Sequence, residues 1–352
     1  MAVLHGAGGE SDRVSVAVEL DADRVARLCR AMAERFLDGG RLLAVGHSPA
    51  ERSDVRHVTV EFVHPVIVGK RALPALGLAP EGGPLDTQMR LLAEPHDIVI
   101  GFGAHPETLA ALEVARGRGC LIIEPLPDDQ ELAETLYHVL WELVHVFIEH
   151  AAPPIYAFMQ KSEPDEDEVL ADVAASVLMK AREAAELREQ TLTDNAAVLT
   201  AAGDELAARL DAGGRVLVLG NGGSATDAMD VAADLRAAGR PALDLTEDSA
   251  VITAVANDVG VEAIFSRQVI AHGRAGDVLM AISTSGGSAN VIHALGEARK
   301  RGLSTIALVG YDGGRILSEQ LADHVVVTRS EHIPRIQEAQ ASAYHALVRR
   351  VS

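Results

Sequence analysis

The chain spells one αβ pattern twice, and that repetition constrains its fold more than any other feature. Leu37-Asp38-Gly39-Gly40-Arg41-Leu42-Leu43-Ala44-Val45-Gly46 recurs, with one residue inserted, as Leu210-Asp211-Ala212-Gly213-Gly214-Arg215-Val216-Leu217-Val218-Leu219-Gly220. Residues 53–62 parallel 226–235, and Pro74-Ala75-Leu76 parallels Pro241-Ala242-Leu243. Asp97-Ile98-Val99-Ile100 then parallels Asp277-Val278-Leu279-Met280, and 115–119 parallels 298–302. Internal similarity at domain-sized spacing predicts two units of one fold. Between the last two matches the first copy is the shorter, and there the second carries Ser283-Thr284-Ser285-Gly286-Gly287-Ser288.

In the second copy, apolar β-branched runs at 215–219 and 277–282 read as buried parallel strands. Each ends in small residues, Gly220-Asn221-Gly222-Gly223-Ser224 and the serine-rich stretch, before helical periodicity resumes at 225–235 and 289–301. Ligands of open α/β sheets sit at the carboxyl ends of strands. A glycine-rich turn leading into a helix presents N–H groups to an anion. Hydroxyls of Ser283, Thr284, Ser285 and Ser288 add donors without fixed charge. Together the two loops predict a phosphate cradle. No Walker-type Lys follows either loop and the G-x-G-x-x-G spacing is absent, which disfavours a nucleotide P-loop or a dinucleotide fold.

Punctuation divides the 352 residues into a loose tail at 1–20, a first domain at 21–150, an acidic Pro-containing linker at 151–167 and a second domain at 168–352. Helices are expected at 22–37, 131–150, 168–190, 194–212 and 335–351, and strands at 41–46, 97–102 and 120–123. A net charge of −20 argues against affinity for nucleic acid or an anionic membrane. Aromatic residues at 3% weaken any base-stacking role. Cys29 and Cys120, in apolar contexts, read as buried thiols. No signal-like apolar segment opens the sequence and no run reaches membrane-spanning length, so a cytoplasmic location is expected.

The second copy resembles the SIS (sugar isomerase) family, and within it the phosphoheptose (sedoheptulose 7-phosphate) isomerases. The resemblance rests on Gly220-Asn221-Gly222-Gly223-Ser224, Asp227-Ala228-Met229, Asn257-Asp258, Ile264-Phe265-Ser266-Arg267, Ile282-Ser283-Thr284-Ser285-Gly286, Ser288-Ala289-Asn290-Val291-Ile292, Asp312-Gly313-Gly314 and Arg335-Ile336-Gln337-Glu338. It implies an α/β fold of two tandem SIS domains, each a parallel sheet flanked by helices in a three-layer αβα sandwich. The first copy is then divergent. It further implies that Asn221, Gly222, Ser224, Ser283, Thr284, Ser285 and Ser288 hold a sugar phosphate, with Asp258 and Gln337 also at the substrate.

The family pairs a His and a Glu four apart on one helix with a Gln and a His eight apart on the last helix, around a zinc ion. Here the second copy keeps Gln337 and His345 but has Asp230 and Asp234 at the first pair, and Pro334 where the family has an Asp. The first copy shows the complement: His57 and Glu61 stand at the missing positions, His145 matches the last-helix His, and Tyr137 replaces the Gln with His138 beside it. Its own loops, Gly46-His47-Ser48-Pro49 and Gly101-Phe102-Gly103-Ala104-His105-Pro106, are poor cradles. The resemblance therefore implies a composite site, with His57, Glu61, Gln337 and His345 as metal ligands and Glu61, or Asp234 if the site is not composite, as the general base. His345 is expected as acid or ligand. The implied reaction converts sedoheptulose 7-phosphate to glycero-manno-heptose 7-phosphate through an enediol. A non-catalytic sugar-phosphate sensor or scaffold is the alternative. A homodimer carrying four SIS units is expected by analogy.

Overall fold

A computed structural model describes residues 21–66, 70–126, 129–151 and 166–352. The expected tail and almost all of the expected linker lie outside these residues. The first half runs α1 (Ala22–Leu37), β1 (Leu42–Val45), α2 (Pro49–Val63), β2 (Ala75–Leu78), α3 (Leu85–Leu92), β3 (Ile98–Phe102), α4 (Pro106–Gly117), β4 (Leu121–Leu126) and α5 (Gln130–Ala151). The second half runs α6 (Glu166–Asp194), α7 (Ala196–Asp211), β5 (Val216–Gly220), α8 (Gly223–Ala237), β6 (Ala242–Asp244), α9 (Ser249–Asp258), α10 (Ser266–His272), β7 (Val278–Ser283), α11 (Ala289–Lys300), β8 (Ser304–Gly310), α12 (Gly314–Ser318), β9 (His324–Thr328) and α13 (Ile333–Arg349).

Two parallel sheets result, ordered β2-β1-β3-β4 and β6-β5-β7-β8-β9, so the second repeats the order of the first and adds an edge strand. The matched segments pair alike: Leu42 lies opposite Ile98, and Val216 opposite Val278. One device fixes both registers. Asp97 accepts from the Arg41 backbone N–H at 2.9 Å and binds its guanidinium at 2.7 Å, while Asp277 does the same for Arg215, at 2.9 Å in each contact. The repeated Gly-Gly-Arg and Asp of the sequence are this clamp.

Each sheet is covered on both faces, which is why its strands are apolar throughout. Leu42, Ala44, Ile98 and Ile100 face α1, α2 and α5, whereas Leu43, Val45 and Val99 face α3 and α4. In the second half, Val216, Val218, Met280 and Ile282 face α7, α8 and α13, and Leu217, Leu219, Leu279 and Ala281 face α10 and α11. At 25 cal/mol per Å², each fully buried Leu, Ile or Val side chain stabilises by roughly 1.5–3 kcal/mol relative to exposure. Cys29 and Cys120 are buried free thiols, and burial pushes that of Cys29 up to about 12.

The halves meet through their inner helices: α2 packs on α8 and α13 on α5, with α13 also on α6. Helix α6 also packs on α1, and its Val173, Ala174 and Val177 belong to the core of the first half. Among the described residues no helix is long and apolar enough to cross a membrane.

Candidate active site

In the second half the two loops end at helix N-termini whose N-cap residues make no side-chain cap. Gly222, at φ 58°, is the N-cap of α8, and Ser288 is the N-cap of α11. The first N–H groups of a helix have no partner within it, so these ends are suited to an anion. The Asn221 and Asn290 side chains exchange hydrogen bonds of 3.0 and 2.9 Å, tying one loop to the other helix. Ser283 Oγ accepts from the Gly286 N–H at 3.2 Å and Ser285 Oγ from the Gly287 N–H at 3.2 Å, leaving both hydroxyl hydrogens to donate elsewhere. Ser224 is buried, Thr284 and Ser288 half-buried and Ser285 exposed. Asp258 is exposed at the end of α9, where it accepts from Asn257 at 2.7 Å.

The first half closes the matching ends with its own groups. Glu51 accepts from the backbone N–H of His47 at 2.6 Å and of Ser48 at 2.9 Å, completing a capping box on α2. A methyl on Gly103 of the neighbouring loop would collide with the same carboxylate. His105 caps α4, accepting from the Glu107 N–H at 3.3 Å, and its ring stacks on that of His47 with centroids 3.5 Å apart.

Between the halves lies a buried polar seam. His57 and Glu61 share one face of α2, with His57 Nε2 3.9 Å from Glu61 Oε1. Gln337, reaching in from α13, puts its Nε2 3.1 Å from His57 Nε2. Gly223, first residue of α8 and part of the glycine-rich loop, lies against this pair. A side chain there would run into Gln337 Nε2 and stand 2.9 Å from His57 Nε2. The other edge of the imidazole faces different acids, Nδ1 being 4.0 Å from both Glu134 Oε1 and Asp227 Oδ1.

Glu61 is buried, and burial, with Glu142 nearby, pushes its carboxyl up to about 8. Burial and the neighbouring His138 drive the His57 pKa far down, so its imidazole is neutral. Burial also lowers that of His138, and raises those of Glu134 and Asp227, which repel one another.

His345 is not in this group. Its Nδ1 lies 3.1 Å from Glu131 Oε1 and its Nε2 3.2 Å from Asp230 Oδ2, with Asp234 at 3.7 Å. Tyr344 donates to Asp230 at 3.0 Å. Burial opposes the charge on His345, but hydrogen bonds to Asp230 and Glu131 hold its pKa up at about 10. Burial and the charge of Asp230 raise Asp234 to about 6. The eight-residue step from Gln337 to His345 is slightly over two turns of α13, so the two side chains reach different neighbours along the seam. His145 is a core histidine, its nitrogens on the carbonyl oxygens of Trp141 at 2.8 Å and Arg71 at 3.1 Å.

Among the described residues, His57, Glu134 and His138 form one donor group suited to a metal ion, and Asp230, Asp234 and His345 another. The first fits a zinc-type ion on its chemistry, because both Glu134 oxygens, His138 Nε2 and both Asp227 oxygens are buried without hydrogen-bond partners. Sequence reasoning missed Glu134 and gave His138 no role. Glu134-x-x-x-His138 has the same spacing as His57 and Glu61 and is the signal that could have found them.

A family profile described as SIS domain matches residues 181–310. Phosphoheptose isomerase of Pelodictyon phaeoclathratiforme is 42% identical over 173 residues, covering 47% of this chain and 81% of that relative. The phosphoheptose isomerase of Rhodospirillum rubrum is 44% identical over 162 residues, covering 44% of this chain and 85% of that relative. Among solved structures, the C-terminal domain of glucosamine-fructose-6-phosphate aminotransferase from Francisella tularensis superposes with a TM-score of 0.58 at 11% identity, covering 99% of this chain and 97% of that one. That likeness is one of fold, and it extends over both halves.

Proposed function

The chain belongs to the phosphoheptose isomerase family, and from that premise we propose that it is a sugar-phosphate aldose–ketose isomerase with one composite site. The preferred substrate is sedoheptulose 7-phosphate, converted to glycero-manno-heptose 7-phosphate. The observation that supports this reading most directly is the contact at Gly223, where the phosphate loop of one half touches His57 of the other and Gln337 of α13.

In this reading the uncapped ends of α8 and α11 bind the phosphate with Asn221, Gly222, Ser224, Ser283, Thr284, Ser285 and Ser288. Anchoring the phosphate brings the carbonyl end of the sugar toward α2. Glu61 takes the proton from the carbon next to the carbonyl, giving the enediol, and returns it to the neighbouring carbon. A carboxyl whose pKa lies near 8 is matched to taking and giving a proton near neutral pH. The proton gained by the carbonyl oxygen comes from the neighbouring hydroxyl, passed directly between the two oxygens, while Gln337 fixes the His57 ring beside the sugar. A zinc-type ion, held at the donor group of His57, Glu134 and His138, would polarise the carbonyl. His345, committed to Glu131 and Asp230, is assigned no part in the chemistry, nor is Asp234.

The test is an isomerase assay with sedoheptulose 7-phosphate, with and without added zinc. Turnover is expected. Tight binding of the sugar phosphate without turnover in either condition would replace the enzyme by a sensor.

A further inference from the structure

Among the described residues, the buried carboxylates beside His57 have no hydrogen-bond partners. Glu134 is 0% exposed and neither carboxylate oxygen has a hydrogen-bond partner. Asp227, 1% exposed, is in the same condition. Carboxylates so buried must either take up protons or gather a cation, because an unpaired buried charge costs several kcal/mol. The imidazoles of His57 and His138 stand beside them, His57 Nδ1 being 4.0 Å from an oxygen of each carboxylate.

Neutral imidazoles are metal ligands, and these are set up as such. Glu134 and His138 stand four residues apart on one face of α5. His138 Nδ1 lies 3.0 Å from Glu338 Oε1, and Glu338 is itself held by Arg335 at 2.9 Å. That partner takes the Nδ1 hydrogen and leaves the lone pair of Nε2, which has no partner, for an ion. From α2 the His57 ring stands edge-on to that of His138, centroids 5.1 Å apart at 79°. Gln337 Oε1 is buried without a partner beside His57 Nε2. Half a turn of that amide lets His57 donate from Nε2 and frees Nδ1, the nitrogen nearest Glu134. One ligand atom from each of the three residues already lies within 4.8 Å of the others. Ligands about 2 Å from one zinc ion stand roughly 3–4 Å apart, so small side-chain rotations close the set.

We propose that His57, Glu134 and His138 hold a divalent ion of the zinc type, so that α5 of the first half completes the ligand set in place of His345. Two imidazoles and a carboxylate are a known zinc donor set that keeps a fourth position open. The group at Asp230, Asp234 and His345 is the weaker candidate, since its imidazolium already lies between Glu131 and Asp230.

The test uses the full chain, stripped with a chelator, reloaded with zinc or cobalt(II), and analysed for bound ion per chain. The wild type and His345→Gln are expected to hold about one ion. Glu134→Gln and His138→Gln are expected to bind it tenfold or more weakly, the least that losing even an outer partner costs. Loss of the ion in His345→Gln with retention in Glu134→Gln and His138→Gln overturns the assignment, as does a wild type that binds none. Should a variant fail to fold by circular dichroism, anomalous scattering at the zinc edge from wild-type crystals locates the ion. Density within bonding distance of His138 Nε2 supports the site, and density elsewhere refutes it. None of these readouts uses turnover, so the ion and the isomerase reading stand or fall separately.

Discussion

The two halves end their strands in the same places and treat the following helices in opposite ways. In the first, Glu51 and Ser48 cap α2 and His105 caps α4, so the chain's own groups occupy the anion position. In the second, the N-cap residues of α8 and α11, Gly222 and Ser288, make no side-chain cap. Capping a helix is worth about 1 kcal/mol, and the second half forgoes it at both loops. A fold that leaves two such ends open side by side gives up that stability and keeps N–H groups suited to an anion. The first half contributes instead the buried His57, Glu61, Glu134 and His138.

The largest effect expected from this division is that of Glu61→Gln. Turnover should fall by about 10²–10⁴ while the affinity for inorganic phosphate is unchanged. Paired kinetics and calorimetry check this, and a parallel loss of both would break the division of labour. Next, Gly223→Ala adds a methyl where the halves touch, against Gln337 and His57. Displacement of reacting groups by about 1 Å costs on the order of 100-fold in kcat, with the melting temperature nearly held. Third, Glu51→Ala removes the acceptor of two backbone N–H groups and should cost about 1–3 kcal/mol in chemical denaturation. Part of that loss should be recovered on adding inorganic phosphate, which would enter the reopened end.

The smallest effect is one of pH. His345 has an ordinary value of 6.5 and is held at about 10 when folded, so between these the folded chain binds the extra proton. Its contribution to stability is therefore complete below pH 6.5 and is lost as pH rises through about 10. Thermal melts of the wild type should show this decline, and His345→Gln should lack it. An identical slope in both would mean that the cluster with Glu131 and Asp230 is not charged as described.

The sheet framework was legible because buried parallel strands leave uninterrupted apolar runs punctuated by glycine. The helices expected at 22–37 and 194–212 appear as Ala22–Leu37 and Ala196–Asp211. Strands β2, β6, β8 and β9 were not read: the first two are edge strands of four and three residues, and polar Ser304-Thr305 and His324 open the other two. The pair His57 and Glu61 was readable from its place in the family pattern, since i,i+4 spacing alone is common on solvated helix faces. Its meeting with Gln337 was not derivable from spacing, being a tertiary contact between helices of different halves. Glu134 and His138 hid in a helix so apolar that its polar residues read as incidental. The Ser48-Pro49-Ala50-Glu51 capping signature was present in the sequence, but only folding shows that its carboxylate also reaches Gly103.

Joining both halves in one polypeptide has a consequence for what sequence change can accomplish. Where two identical chains form a paired site, every substitution is made twice, and a carboxylate that plugs one cradle plugs the other. Here Glu51 closes one loop while the corresponding loop before α8 stays open. Asp230 and Asp234 likewise stand in the second half where the first has His57 and Glu61. Each half is free to specialise only because the other is written separately.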